Sequence, residues 1–163
     1  MNVTPHPDAR LSLACFVAAT ANADEVDALE CRLDTAQWAT LANFLSPLTV
    51  SLGQTVAKKG VSDRSVYLIE TGTVSVHYED EKERLHLAIV GPGSVVGEGG
   101  FFSHLPRRAT VSAASDGRLW CLSPMRYGEL LNRHCAVAHA LTMAMGQVMA
   151  KRLYHRLRRV AVT

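Results

Sequence analysis

From about Thr49 to Leu122 the apolar residues of this 163-residue chain alternate with polar ones in runs, and turns interrupt them too often for helices to intervene. In SVYLIETGTVSVHYEDEKERLHLAIVGPG, Val74 and Val76 fall on one face of a strand, and Leu85, Leu87 and Ile89 fall on one face of another. Glu70-Thr71-Gly72 and the charged run from Glu79 to Glu83 supply turns between such strands. Parallel strands need long crossovers, usually helical, and there is no room for them here. The pattern therefore predicts an antiparallel sandwich or barrel of the jelly-roll type.

The period is helical on both sides of this region. Residues 1–10, with Pro5 and Pro7, read as a loose leader, and 11–46 as helical. In DTAQWATLANFLS, Asp34 stands at an N-cap with Gln37 at the capping-box position, and Trp38, Leu41, Phe44 and Leu45 form one apolar face. The β-roll is expected over 47–122 and C-terminal helices over 123–160, opened by Ser123-Pro124 as N-cap and first helical residue. From about Cys135 to Val160 there is no proline to break a helix, which at ~1.5 Å per residue would reach ~39 Å. With 48% hydrophobic residues, residues 11–163 suit a single core. The expected class is α+β: an antiparallel β jelly-roll barrel with N-terminal helices and a long C-terminal helix.

Charge and cysteines narrow the partners. The net charge is only +2, yet five Lys and Arg lie between Lys151 and Arg159, so the rest of the chain is acidic on balance and the basicity is local. That run complements a helix dipole, or contacts nucleic acid or an acidic partner protein. Cys15, Cys31, Cys121 and Cys135 are far apart, with no C-x-x-C pair and no His at ligand spacing, which predicts buried, reduced thiols, a cytoplasmic protein and no metal site. Arg10 followed by LSLACFVAATA and ANA has the outline of a secretory leader, but the helical pattern continues past Asp24. No apolar run approaches the ~18 residues of a membrane span.

The chemistry concentrates in VVGEGGFFSHLPRRATVSA, where Glu98 stands nine residues before the pair Arg107 and Arg108, flanked by Gly97, Gly99 and Gly100. Glycines allow close backbone approach to an anion, but this is neither of the commonest phosphate loops. A Walker loop needs Gly-Lys followed by Ser or Thr, which is absent; a dinucleotide fingerprint begun at Gly91 and Gly93 meets Val96 where glycine is required. An arginine fork binds phosphate oxygens, whereas a carboxylate accepts a hydrogen bond from a sugar hydroxyl, so acid and arginine together point to a sugar phosphate. A surface ion pair between Glu98 and Arg107 would explain neither the glycines nor the order of the motif. His104 reads as a loop residue. Asp63, Ser65 and the histidines suggest a hydrolase only in composition, since no G-x-S-x-G elbow occurs, and catalysis is not expected.

These residues resemble the phosphate-binding cassette of cyclic nucleotide-binding domains, the family of the catabolite activator protein, the protein kinase A regulatory subunit and nucleotide-gated channels. That cassette has the form G-E, small or apolar residues, then P-R-x-A-T-V; here Gly97-Glu98 leads into Pro106-Arg107-Arg108-Ala109-Thr110-Val111. The likeness runs upstream through VYLIETGTVSVH and LAIVGPGSVVGE and covers roughly residues 45–160. It implies that Glu98 accepts the ribose 2′-hydroxyl and Arg107 holds the cyclic phosphate of cAMP or a relative. Backbone N–H groups around Gly99, Gly100, Arg108 and Ala109 would complete the cradle, and Arg156, after Lys151-Arg152-Leu153, would meet the base.

Two departures stand out: Arg108 where the family often has a small or hydroxyl side chain, and Gly99-Gly100 where an apolar residue and alanine are common. They support an alternative, a ligand-free interaction or dimerisation module of the same fold. On the long helix, Val137, Leu141, Met145 and Val148 form a stripe for the barrel, while Met149, Leu153, Leu157 and Val160 continue around the cylinder and suit a homodimer seam. The resemblance implies a sensor that moves this helix against an unknown protein effector. The helix-turn-helix of bacterial regulators does not follow by Thr163, so sequence-specific DNA reading is not expected; association with DNA through the basic run is a third and weaker reading.

Overall fold

The computed structural model describes residues 12–79 and 85–161. Two four-stranded antiparallel sheets face each other. The first has the order β1 (Ser46–Val50), β8 (Gly117–Leu122), β3 (Val66–Thr71), β6 (Val95–Val96); the second has β2 (Thr55–Ala57), β7 (Ala109–Ala113), β4 (Val74–Glu79), β5 (Leu85–Val90). Five helices accompany them: α1 (Ala14–Thr20), α2 (Thr35–Ala42), α3 (Glu98–Ser103), α4 (Pro124–Arg133) and α5 (Cys135–Ala161). The fold class is the one expected; the thiols are not buried as expected, since Cys15 and Cys135, at the starts of α1 and α5, are exposed. The charged tip expected over Glu79 to Glu83 falls mostly, and the leader 1–10 entirely, outside the described residues.

Two cores explain the strand sequences. In β3, Tyr67 and Ile69 point between the sheets, among Val50, Val74, Val90, Val111 and Leu119. Val66 and Leu68 point out of the roll, onto a second core with Phe16, Leu29, Leu41, Trp120 and Leu130. A strand buried on both faces loses the simple alternation of a half-exposed one, and VYLIE reads as continuously apolar until Glu70. Asp34 and Gln37 form the expected capping box at the start of α2, and the Ser123 side chain caps α4. Between α1 and α2 the chain is irregular, because Leu29 is fully buried and its N–H is held by the Gly93 carbonyl at 2.9 Å.

Helix α5 has 27 residues, about 40 Å at ~1.5 Å per residue. Val137, Ala138, Leu141, Ala144, Met145 and Val148 bury its first stripe in the outer core. Leu153 is 57% exposed and Met149 half-buried; the side chains of Leu157 and Val160 lie outside the described residues. Past Val148 the helix makes polar contacts with its own domain instead, and these bring it to the cassette.

Candidate functional site

The cassette hangs between two strands in the first and second sheets. β6 ends at Val96, Gly97 turns the chain, α3 runs from Glu98 to Ser103, and the segment through Pro106-Arg107-Arg108 enters β7 at Ala109. Gly97 has φ +92°, a left-handed conformation that side chains resist, and a Cβ there would lie 2.7 Å from Arg107 Nη1 and 2.7 Å from the Ser65 carbonyl oxygen. A bare α-carbon is what lets the arginine lie against the acid-bearing turn. Gly99 and Gly100 are different: a Cβ at Gly99 would meet nothing, and at Gly100 only ordinary contacts. Their N–H groups, with that of Glu98, precede the first helical bond of α3, from Phe101 N–H to the Gly97 carbonyl. His104 ends α3 at φ 58°, with its Nε2 2.9 Å from Arg64 Nη2.

Arg107 is 6% exposed. Its Nη2 donates to Asp63 Oδ2 and to the Ser65 carbonyl, both at 2.6 Å, while its buried Nε meets no acceptor among the described residues. Its backbone is fixed as well, with Arg107 N–H on the Val61 carbonyl at 2.9 Å and Gly60 N–H on the Arg107 carbonyl at 2.8 Å. Burial alone would raise the Asp63 pKa, but hydrogen bonds from Arg107 and from Ser65 outweigh it and hold the carboxyl below its ordinary value. Tyr67, beneath the guanidinium at 5.8 Å, is pushed up to about 12, chiefly by burial. Arg108 is exposed and Ala109 half-buried, so the two arginines of the pair point to different surroundings.

Glu98 has a partner that sequence reasoning missed. Arg152 of α5 donates from Nη1 to Glu98 Oε1 at 2.7 Å, from Nε to Asp27 Oδ1 at 2.7 Å and from Nη2 to Ser94 Oγ at 3.0 Å. Burial would lower the Arg152 pKa, but the charges of Glu98 and Asp27 overcome it and raise it. Lys151 adds a bond to the Glu25 carbonyl at 3.0 Å. Arg156, one turn on, sets its guanidinium 5.8 Å above the Tyr78 ring.

Gly97, Glu98 and Arg107 thus come together, α5 closes over the acid through Arg152, and Arg156 reaches the second sheet. Arg152 carried a signal in the sequence, as the middle of the Lys151-Arg152-Leu153 segment that directed attention to Arg156. Asp63 and Ser94 carried none: an aspartate in a turn and a serine after glycine are ordinary loop residues. Among the described residues no group of three or more His, Cys, Asp or Glu could hold a metal ion, and no helix is long and apolar enough to cross a membrane.

The site fits what comparison with known proteins finds. A cAMP-dependent protein kinase regulatory subunit from Eremothecium gossypii is 32% identical over 100 residues, covering 61% of this chain and 21% of the relative, so this chain spans about a fifth of that protein. The N-terminal domain of a transcriptional regulator from Streptomyces coelicolor A3(2) superposes with a TM-score of 0.63 at 31% identity, covering 83% of this chain and 91% of that one. A cyclic nucleotide-binding domain from Methylobacillus flagellatus superposes with a TM-score of 0.77 at 18% identity, over 90% and 81% of the two chains, a likeness of fold. The family model described as the cyclic nucleotide-binding domain matches residues 47–134, more than half of the chain and the whole cassette, and the protein belongs to that family.

Proposed function

We propose that this protein is a sensor for a purine 3′,5′-cyclic nucleotide, cAMP or a relative, and that it binds its ligand without turning it over. The observation that carries the reading is Arg107: a buried guanidinium packed on Gly97, with one donor lacking an acceptor among the described residues. A buried donor without a partner is costly, and a phosphate oxygen supplies the missing acceptor with charge. In this reading the phosphate sits against Arg107 and the N–H groups of Gly99, Gly100, Arg108 and Ala109, the ribose 2′-hydroxyl donates to Glu98, and Arg156 meets the base. Arg152 joins Glu98 to Asp27, so ribose binding and the seating of α5 bear on the same carboxylate. That coupling is how binding would move the helix toward or away from an effector, as a cytoplasmic homodimer with α5 in its seam.

One observation favours the rival reading, a ligand-free interaction module: Glu98 and Arg107 already have internal partners in Arg152 and Asp63. Thermal denaturation separates the two. A ligand that binds only the native state adds RT ln(1 + [L]/Kd), about 2.7 kcal/mol at a hundredfold excess over Kd. A sensor melts several degrees higher with millimolar cAMP or cGMP; a melting temperature unmoved by either supports the ligand-free module.

A further inference from the structure

The inward face of the second sheet opens toward the cassette. Strand register places Val74 between Val90 and Ala113, all three buried. Two residues along, Val76 is half-buried between buried Val111 and exposed Ala88; two further, Tyr78, His86 and Ala109 form a row of half-buried residues. Directly opposed residues share a face, so this last row is the lip of the roll's interior. Ala109 belongs to the cassette, and the rings of Tyr78 and His86 stack beside it at 5.1 Å with planes 14° apart. Arg156 stands over Tyr78, its guanidinium carbon 5.8 Å from the ring centre. Arg152 and Arg156 lie four residues apart on α5, about 6 Å along the axis at ~1.5 Å per residue. The first guanidinium marks the sugar's acid and the second the paired rings, a separation that suits a ribose and the base attached to it.

Resting on the cyclic nucleotide reading above, we infer that the base is a guanine, stacked at the Tyr78–His86 pair and read by Arg156. Aromatic rings accept any base by stacking and do not choose among them. The choice falls to the guanidinium, which only donates. Guanine offers it two acceptors side by side, N7 and O6, whereas adenine offers N7 next to the N6 amino donor. An arginine fork meets the first edge with two hydrogen bonds and the second with one bond and one donor against a donor. The exposed Arg108 is on the phosphate side of the motif and has no part in this choice.

The test uses three ligands on the full chain by titration calorimetry: cGMP, cAMP and inosine 3′,5′-cyclic monophosphate, which keeps N7 and O6 and lacks the guanine amino group. The inference expects cGMP and the inosine nucleotide to bind alike, and about 5- to 150-fold tighter than cAMP, the discrimination one bidentate pair gives. Arg156→Leu, at an exposed position, weakens the first two until all three lie within about threefold, and Tyr78→Leu weakens all three together without changing their order. A wild type that binds cAMP as tightly as cGMP, or an Arg156→Leu variant that keeps the preference, overturns the inference and leaves the cyclic nucleotide reading standing. Failure of all three ligands to bind overturns both.

Discussion

At the scale of single residues, the acid and the arginine of the cassette do more than a ligand requires. Arg107 holds Asp63 and the Ser65 carbonyl, each at 2.6 Å, and Glu98 holds α5 through Arg152. The ribose role of Glu98 has its own test. A 2′-deoxy cyclic nucleotide leaves the carboxylate, 15% exposed, without its donor and should bind about 1–3 kcal/mol more weakly than its ribose counterpart. Glu98→Gln should shrink that difference; equal affinities for the two sugars in the wild type would remove Glu98 from the ribose. Asp63 makes a prediction in pH. Its carboxyl is held below the ordinary value, so its contribution to stability is fully present above the unfolded pKa, about 4, and is lost as pH falls through the lower folded value. The gap in melting temperature between wild type and Asp63→Asn should be constant above about pH 5 and close below about pH 4. A gap independent of pH would mean that the Arg107 pairing does not set that titration. The motif's main residues were legible because glycine, acid and arginine are rare in that order. The partners Asp63, Asp27 and Ser94 were not, because their roles come from contacts across 44, 125 and 58 residues of chain that no local spacing reveals.

At the scale of elements, pattern gave way to packing wherever a strand or helix served two surfaces. The capping box at Asp34 and Gln37 and the Ser123 cap were readable because each is local. The buried stripe of α5 was readable too, as Val137, Leu141, Met145 and Val148, but its next turns were not, since Lys151 and Arg152 find polar partners on the N-terminal segment and cassette. Leu153 follows Arg152 by about 100° around the cylinder and stays 57% exposed, along with Met143 at 54%. An apolar side chain left open on a long helix is what a two-fold seam would cover, and each substitution there counts twice. Leu153→Asp should give monomers by light scattering at tens of micromolar while preserving ligand affinity, because the cassette's own contacts do not include it. A wild type that is monomeric at that concentration, or a variant that remains dimeric, would leave α5 as a lid alone.

At the scale of the whole molecule, two sheets and a helical layer present one lip on which three distant segments meet: the cassette, the inward row of β4, β5 and β7, and the polar turns of α5. The period-two region predicted the roll, since alternation over short strands leaves few other folds. It could not predict which end of the roll opens, which shows only in burial along the paired strands, from the buried row Val74, Val90 and Ala113 to the half-buried row Tyr78, His86 and Ala109. The central claim is that this lip binds a cyclic nucleotide through Arg107. Its most direct test is titration calorimetry of the full chain with cGMP and cAMP, on wild type and Arg107→Ala, with circular dichroism to establish that the variant is folded. Saturable one-site binding should weaken by about 2–5 kcal/mol in the variant, roughly 30- to several-thousand-fold, while Arg108→Ala changes it far less. A folded Arg107→Ala protein with wild-type affinity would contradict the account.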